Sequence, residues 1–149
     1  MRGAQRALRY RTPTADVPWG HEYQSPPHGK IIHNYQDVPI IHAWYDVCRK
    51  WHELLLAFPK RERYTLGQTC ETYCLSVLEQ LLAAAGATQP AQKLERLREA
   101  SVKLDALRLL VRLAKDNRCV TNNAYLDLES KLHEAGRMLG GWMKSLGPR

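Results

Sequence analysis

The residues able to bind a metal or attack a substrate are the cysteines and histidines, and their spacing is unpromising for either task. Cys48, Cys70, Cys74 and Cys119 contain no Cys-x-x-Cys pair. Cys70 and Cys74 stand four apart, so a helix would put both thiols on one face. Free, reduced and mostly buried thiols are the expected state, because an unpaired Cys packs as a small hydrophobe. Bundle metal sites use Glu-x-x-His on two helices, and that pattern does not occur here. Glu129 and His133 are four apart, a spacing suited to an exposed pair. His52-Glu53 opens no His-Glu-x-x-His motif, because Leu56 stands where the second histidine is needed. His42 and His52 read as surface or interface residues. There is no phosphate-cradling glycine loop and no Gly-x-Ser-x-Gly elbow. The expectation is a chain that is not an enzyme, with no catalytic residue, metal or cofactor.

The chemistry that remains is charge. Twenty-two Lys and Arg against fifteen Asp and Glu give a formal charge of +7, which favours a polyanionic partner. Lys60, Arg61 and Arg63 cluster at one expected turn. Arg96, Lys103, Arg108, Arg112, Lys115 and Arg118 spread along one expected helix, and Lys131, Arg137 and Lys144 along the next. For any single cation a solvated face balanced by Glu95, Glu99, Asp105, Asp127, Glu129 and Glu134 is explanation enough. The turn cluster differs, because three cations near a helix N-terminus oppose the macrodipole. An anionic partner, or ion pairs with another chain, would offset that penalty. Lys60, Arg61 and Arg63, with Arg108 and Arg112 as a second group, are therefore the candidate contacts to RNA or DNA phosphates.

Helices must position these cations. Ile41, Trp44, Cys48, Trp51, Leu55 and Phe58 recur in alternating steps of three and four, a heptad seam. Asp37 is placed to cap this first helix, with Pro39 in its first turn, and Pro59 stops it. Leu66, Cys70, Tyr73, Val77 and Leu81 form a second seam, widened by Cys74, Leu78 and Leu82. Gly67 lies inside it, where close approach of another backbone would explain a glycine, and Gly86 is placed for a C-terminal cap. A third helix starts near Thr88 or Pro90 and carries Leu94, Leu97, Ser101, Leu104, Leu107, Val111 and Ala114. Thr121 caps the fourth, with Val120 and Tyr125 spaced for a hydrophobic staple and a seam through Tyr125, Leu128, Leu132, Ala135, Leu139, Trp142 and Leu146. Gly140-Gly141 inside it suggests a packing or hinge role. Four helices with short turns predict an all-α, up-down-up-down four-helix bundle over residues 35–149. Ile40, Tyr45, Leu54, Leu109, Leu110 and Met138 are apolar positions beyond the seams and point to self-association.

Residues 1–34 read differently. Five of the eight prolines precede residue 40, no helical or strand period is sustained, and Arg2, Arg6, Arg9, Arg11 and Lys30 outnumber Asp16 and Glu22. A flexible basic N-terminal tail is expected. The start lacks the apolar stretch of a signal peptide, and no apolar run is long enough to span a membrane, so the cytoplasm is the expected location, with no membrane partner.

Two blocks carry a family resemblance. Ile32-His33-Asn34-Tyr35-Gln36-Asp37-Val38-Pro39-Ile40 followed by Phe58-Pro59-Lys60-Arg61-Glu62-Arg63-Tyr64-Thr65-Leu66-Gly67-Gln68 is one. The other runs through Lys103–Ala114 and Glu134-Ala135-Gly136-Arg137-Met138-Leu139-Gly140-Gly141-Trp142. Over about residues 32–146 the chain resembles the Avd proteins, the accessory variability determinants of diversity-generating retroelements. It also resembles their four-helix relatives encoded in intervening sequences of ribosomal RNA genes. The resemblance implies a homopentameric barrel that binds the retroelement's reverse transcriptase and associates with nucleic acid. The polymerase would perform the error-prone cDNA synthesis from template RNA. The alternatives are a stand-alone interaction protein of the ribosomal-intervening type and a bundle enzyme with a metal site.

Overall fold

The computed structural model describes residues 38–147, and these form helices without strands. Helix α1 spans Pro39–Leu55. A short helix α2, Lys60–Glu62, runs through a π-helical segment, Arg63–Gly67, into α3, Gln68–Gly86. Helices α4, Pro90–Asp116, and α5, Asn122–Ser145, complete the chain. The connections are short, so consecutive long helices run antiparallel. Helix α1 packs on α3 and α5, and α4 packs on α3 and α5. The order around the bundle is therefore α1, α3, α4, α5. The two turns 56–59 and 117–121 share one end of it.

Local sequence sets the boundaries. Pro39 occupies the first turn of α1, where its missing N–H leaves nothing unsatisfied. The expected cap Asp37 lies outside the described residues. Val38 flanks the helix instead and supplies no side-chain cap. Pro90 likewise opens α4. Thr121 caps α5 as expected, its Oγ1 accepting from the Ala124 N–H at 3.2 Å. The expected N-terminal tail, residues 1–34, is also outside the described residues.

The seams form one core, and no polar side chain is buried in it among the described residues. Trp44, Leu81, Leu97, Leu132 and Val111 sit at or near zero exposure. Two expected seam positions move by one residue, and Leu82, expected to widen the second seam, is exposed. Val47 is buried where Cys48 was expected and leaves Cys48 half-buried; Ala100 does the same to Ser101. Ile40, expected as surplus surface, is in the core. Both fully buried tryptophans of α1 find backbone acceptors, one on α3 and one in the π-helical segment before it. Trp44 Nε1 donates to the Cys74 carbonyl at 2.8 Å and Trp51 Nε1 to the Gly67 carbonyl at 3.2 Å. Those bonds remove the cost of burying two indole N–H groups.

Gly67 sits where the expected close approach occurs, but the neighbours are mostly side chains. A Cβ there would lie 2.6 Å from Leu55 Cδ2, 3.2 Å from Phe58 Cδ1 and 3.3 Å from the Glu62 carbonyl oxygen. Phe58 is itself held edge-on to Trp51. Gly140 and Gly141 face open space, so the expected packing role is not theirs, and α5 runs unbroken through both.

Candidate nucleic-acid interface

The five candidate cations fall into two groups by what their side chains touch. Lys60 and Arg61 are exposed on α2, and among the described residues no carboxylate pairs with either. Glu62, the nearest acid in sequence, accepts instead from Thr65 Oγ1 at 3.3 Å. Arg63 turns inward. Its Nη2 donates to the Leu56 carbonyl at 2.9 Å and to the Phe58 carbonyl at 3.2 Å. A helix leaves its last carbonyls without partners, so Arg63 closes the C-terminal end of α1. Its Nε is buried without a hydrogen-bond partner among the described residues.

Arg108 is also tied to the scaffold. It pairs with Asp105 at 3.1 Å and its Nη2 reaches across to the Leu132 carbonyl on α5 at 3.2 Å. Gly136 supplies the notch, since a Cβ there would collide with the Arg108 guanidinium. Arg112, one turn later, is exposed and only loosely paired with Asp116 at 4.0 Å. Such an exposed pair holds a side chain weakly. Lys60, Arg61 and Arg112 are thus available to a partner, while Arg63 and Arg108 brace helices.

The other charges divide in the same way. Lys50 with Asp127 at 3.6 Å joins α1 to α5, and His52 with Glu71 at 2.9 Å joins α1 to α3. Arg137 and Glu134 pair within α5. Lys115 lies 4.8 Å over the Tyr125 ring, joining α4 to α5. Spacing along one helix could not separate bracing cations from free ones, because the acceptors for Arg63 and Arg108 belong to other segments.

The thiols are all free, with Cys48 half-buried and the others buried. Cys48 Sγ lies 3.6 Å from the Cys74 carbonyl. The Cys74 thiol beside it holds the Cys48 pKa below the usual thiol value, and burial opposes this. Cys74 is pushed up by donating to Cys48 and by burial. Burial raises Cys70 to about 12. Among the described residues no group of three or more His, Cys, Asp or Glu is placed to hold a metal ion. None of the described helices is long and apolar enough to cross a membrane.

Exposed apolar residues occur both beside these cations, at Leu56 and Tyr64, and along the helices. Val102, Leu109 and Leu113 are 71%, 70% and 46% exposed and share one face of α4. Tyr45 on α1 is 60% exposed. Leu54, Leu110 and Met138 are half-buried against the core.

Fold and surface together define a small helical-bundle protein with an apolar core and a basic exterior. The chain belongs to the bAvd-like family, whose model matches residues 40–146. That match takes in the four long helices almost entirely. A search of curated proteins gives no match.

Proposed function

We propose that this protein is the non-catalytic accessory subunit of a diversity-generating retroelement. In this reading it binds the reverse transcriptase and the template RNA, and it acts as a ring of five copies in the cytoplasm. The observation that carries the reading is membership in the bAvd-like family over residues 40–146. Two features of the surface support it. Lys60 and Arg61 project without acidic partners among the described residues, as phosphate contacts require. The exposed stripe of Val102, Leu109 and Leu113 on α4 suits contact with a second copy. In a closed ring each such contact is head-to-tail.

Lys60, Arg61 and Arg112 would meet phosphates directly. Arg63 and Arg108 would contribute positive potential while holding α1 and α5. The test is a search beside this gene for a reverse-transcriptase gene and co-purification with its product, together with salt titration of a labelled RNA. Phosphate contacts release condensed counterions, so affinity must fall steeply with salt. Lys60→Ala with Arg61→Ala should weaken binding and flatten that dependence without altering oligomer size. Arg63→Ala is best kept separate, because it also uncaps α1. Failure to capture the polymerase, with no reverse-transcriptase gene nearby, would favour the ribosomal-intervening relative instead. A 17 kDa species by light scattering at micromolar concentration would reject the ring.

A further inference from the structure

The α4–α5 turn contains a residue of the wrong type for its backbone. Helix α4 ends in a Schellman motif. The Cys119 N–H bonds back to the Ala114 carbonyl at 2.8 Å and the Arg118 N–H to the Lys115 carbonyl at 2.9 Å. This motif needs a left-handed residue at the position after the cap, and glycine usually fills it. Here Arg118 fills it, at φ 58°, and among the described non-glycine residues it alone has positive φ. A Cβ in that region is strained. The neighbouring thiol is not the reason. Cys119 supplies the buried contact that normally closes the motif, and it would do so beside a glycine too.

The Arg118 side chain is exposed, and among the described residues no carboxylate or carbonyl holds it. It lies at the same end of the bundle as Lys60 and Arg61. The π-helical segment that follows α2 packs on α4, and the Glu62 carboxylate is near enough to Cys119 to raise its thiol pKa, after burial as the main cause. Two turns distant in sequence therefore present Lys60, Arg61 and Arg118 at one end of the bundle, all without acidic partners among the described residues.

We infer that Arg118 is retained in a strained backbone conformation because its guanidinium contacts nucleic-acid phosphate, forming with Lys60 and Arg61 one phosphate-binding end of the bundle. This rests on the nucleic-acid reading above and locates its contact surface. The competing explanation is local. A cation at a helix C-terminus is favoured by the macrodipole, and on that account alone Arg118 would serve α4 and nothing else.

Arg118→Gly separates the two, because it removes the charge and the strain together. The titration uses the full chain and a labelled single-stranded RNA oligonucleotide, followed by a thermal melt of the same samples. The expected result is a higher Tm with weaker RNA binding. The log–log salt slope should shrink by about 0.7 for each single-strand phosphate that is no longer neutralised. Arg118→Lys should keep most of the binding and the wild-type Tm. Wild-type affinity and slope in Arg118→Gly would overturn the inference while leaving the nucleic-acid reading intact, and a lower Tm with unchanged binding would assign Arg118 to the helix dipole. Wild-type protein with no salt-dependent RNA binding would defeat the underlying reading itself. Loss of poly-glutamate binding with RNA binding unchanged would reassign this end to an acidic protein partner and overturn the inference as well.

Discussion

Replacing Gly67 with alanine tests whether the bundle is packed at the α1–π-segment crossing as described. Two terms oppose each other. Alanine is favoured over glycine inside a helix by about 1 kcal/mol, because the unfolded chain has less freedom to lose. Against this, the new methyl would lie 2.6 Å from Leu55 Cδ2 and 3.2 Å from Phe58 Cδ1. Leu55 and Phe58 are 8% and 2% exposed, and Phe58 is held against Trp51 at a centroid distance of 5.4 Å. The methyl can be seated only if the Leu55 side chain shifts, and the Phe58 ring and the Glu62 carbonyl oxygen crowd it from the other sides. Overpacking of this kind costs typically about 1 to 3 kcal/mol. Gly140 is the internal control, because a Cβ there meets nothing within 4 Å. Gly140→Ala should therefore stabilise by about 1 kcal/mol. The difference between the two variants cancels the propensity term and should equal the steric one, roughly 1 to 3 kcal/mol in favour of Gly140→Ala. Urea melts of both variants beside the wild type measure it. Equal stabilisation by the two substitutions would refute the packing at Gly67.

Three further outcomes are expected. Leu132 has no exposed surface, and Leu132→Ala should cost roughly 2 to 5 kcal/mol; a loss under about 1 kcal/mol in the same melts would remove Leu132 from the core. Arg63→Ala strips a charged donor from the Leu56 and Phe58 carbonyls and should destabilise by about 1.5 to 3 kcal/mol, whereas Arg61→Ala should leave the melt unchanged. Cys48 should be the first thiol alkylated by iodoacetamide as pH rises from about 7, because its pKa is lowered and it is half-buried. Cys70, pushed up to about 12, should stay protected until the protein unfolds, and peptide mapping by mass spectrometry distinguishes the two. Folded Cys70 keeps its proton where the unfolded thiol loses it, so its stabilising contribution is intact below about 9 and is lost as pH rises toward 12.

The long helices and some of their ends were legible in the sequence because they depend on residues within one turn of each other. Pro90 opens the third long helix and Thr121 caps the last, whereas α1 ends at Leu55, short of the expected stop at Pro59, and Gly86 is the final residue of its helix without the left-handed φ of a glycine cap. Pro90 and Thr121 each act through their own φ angle or their own side-chain oxygen, so no distant partner is needed. The three-and-four periodicity likewise required burial on one face whatever lay opposite.

Tertiary structure decided everything that turns on what lies across a helix interface. Val47 rather than Cys48 enters the core because α3 and α5 fix which edge of α1 is covered, and two adjacent apolar residues cannot settle that between themselves. Gly67 and Gly140 look alike within their helices, yet Leu55 and Phe58 crowd only the first. Arg63 and Arg61 look alike in a basic turn, yet only Arg63 meets the carbonyls that end α1. Arg108 becomes a brace because Gly136 opens a notch beside the Leu132 carbonyl. Periodicity and propensity act along the chain, so the sequence by itself determined where the helices are and that their seams are buried. Hydrogen bonding and steric contact act between segments far apart in the chain, so only the folded bundle decided which cations were consumed in holding it together and which, Lys60, Arg61 and Arg118 among them, stand exposed without an acidic partner among the described residues.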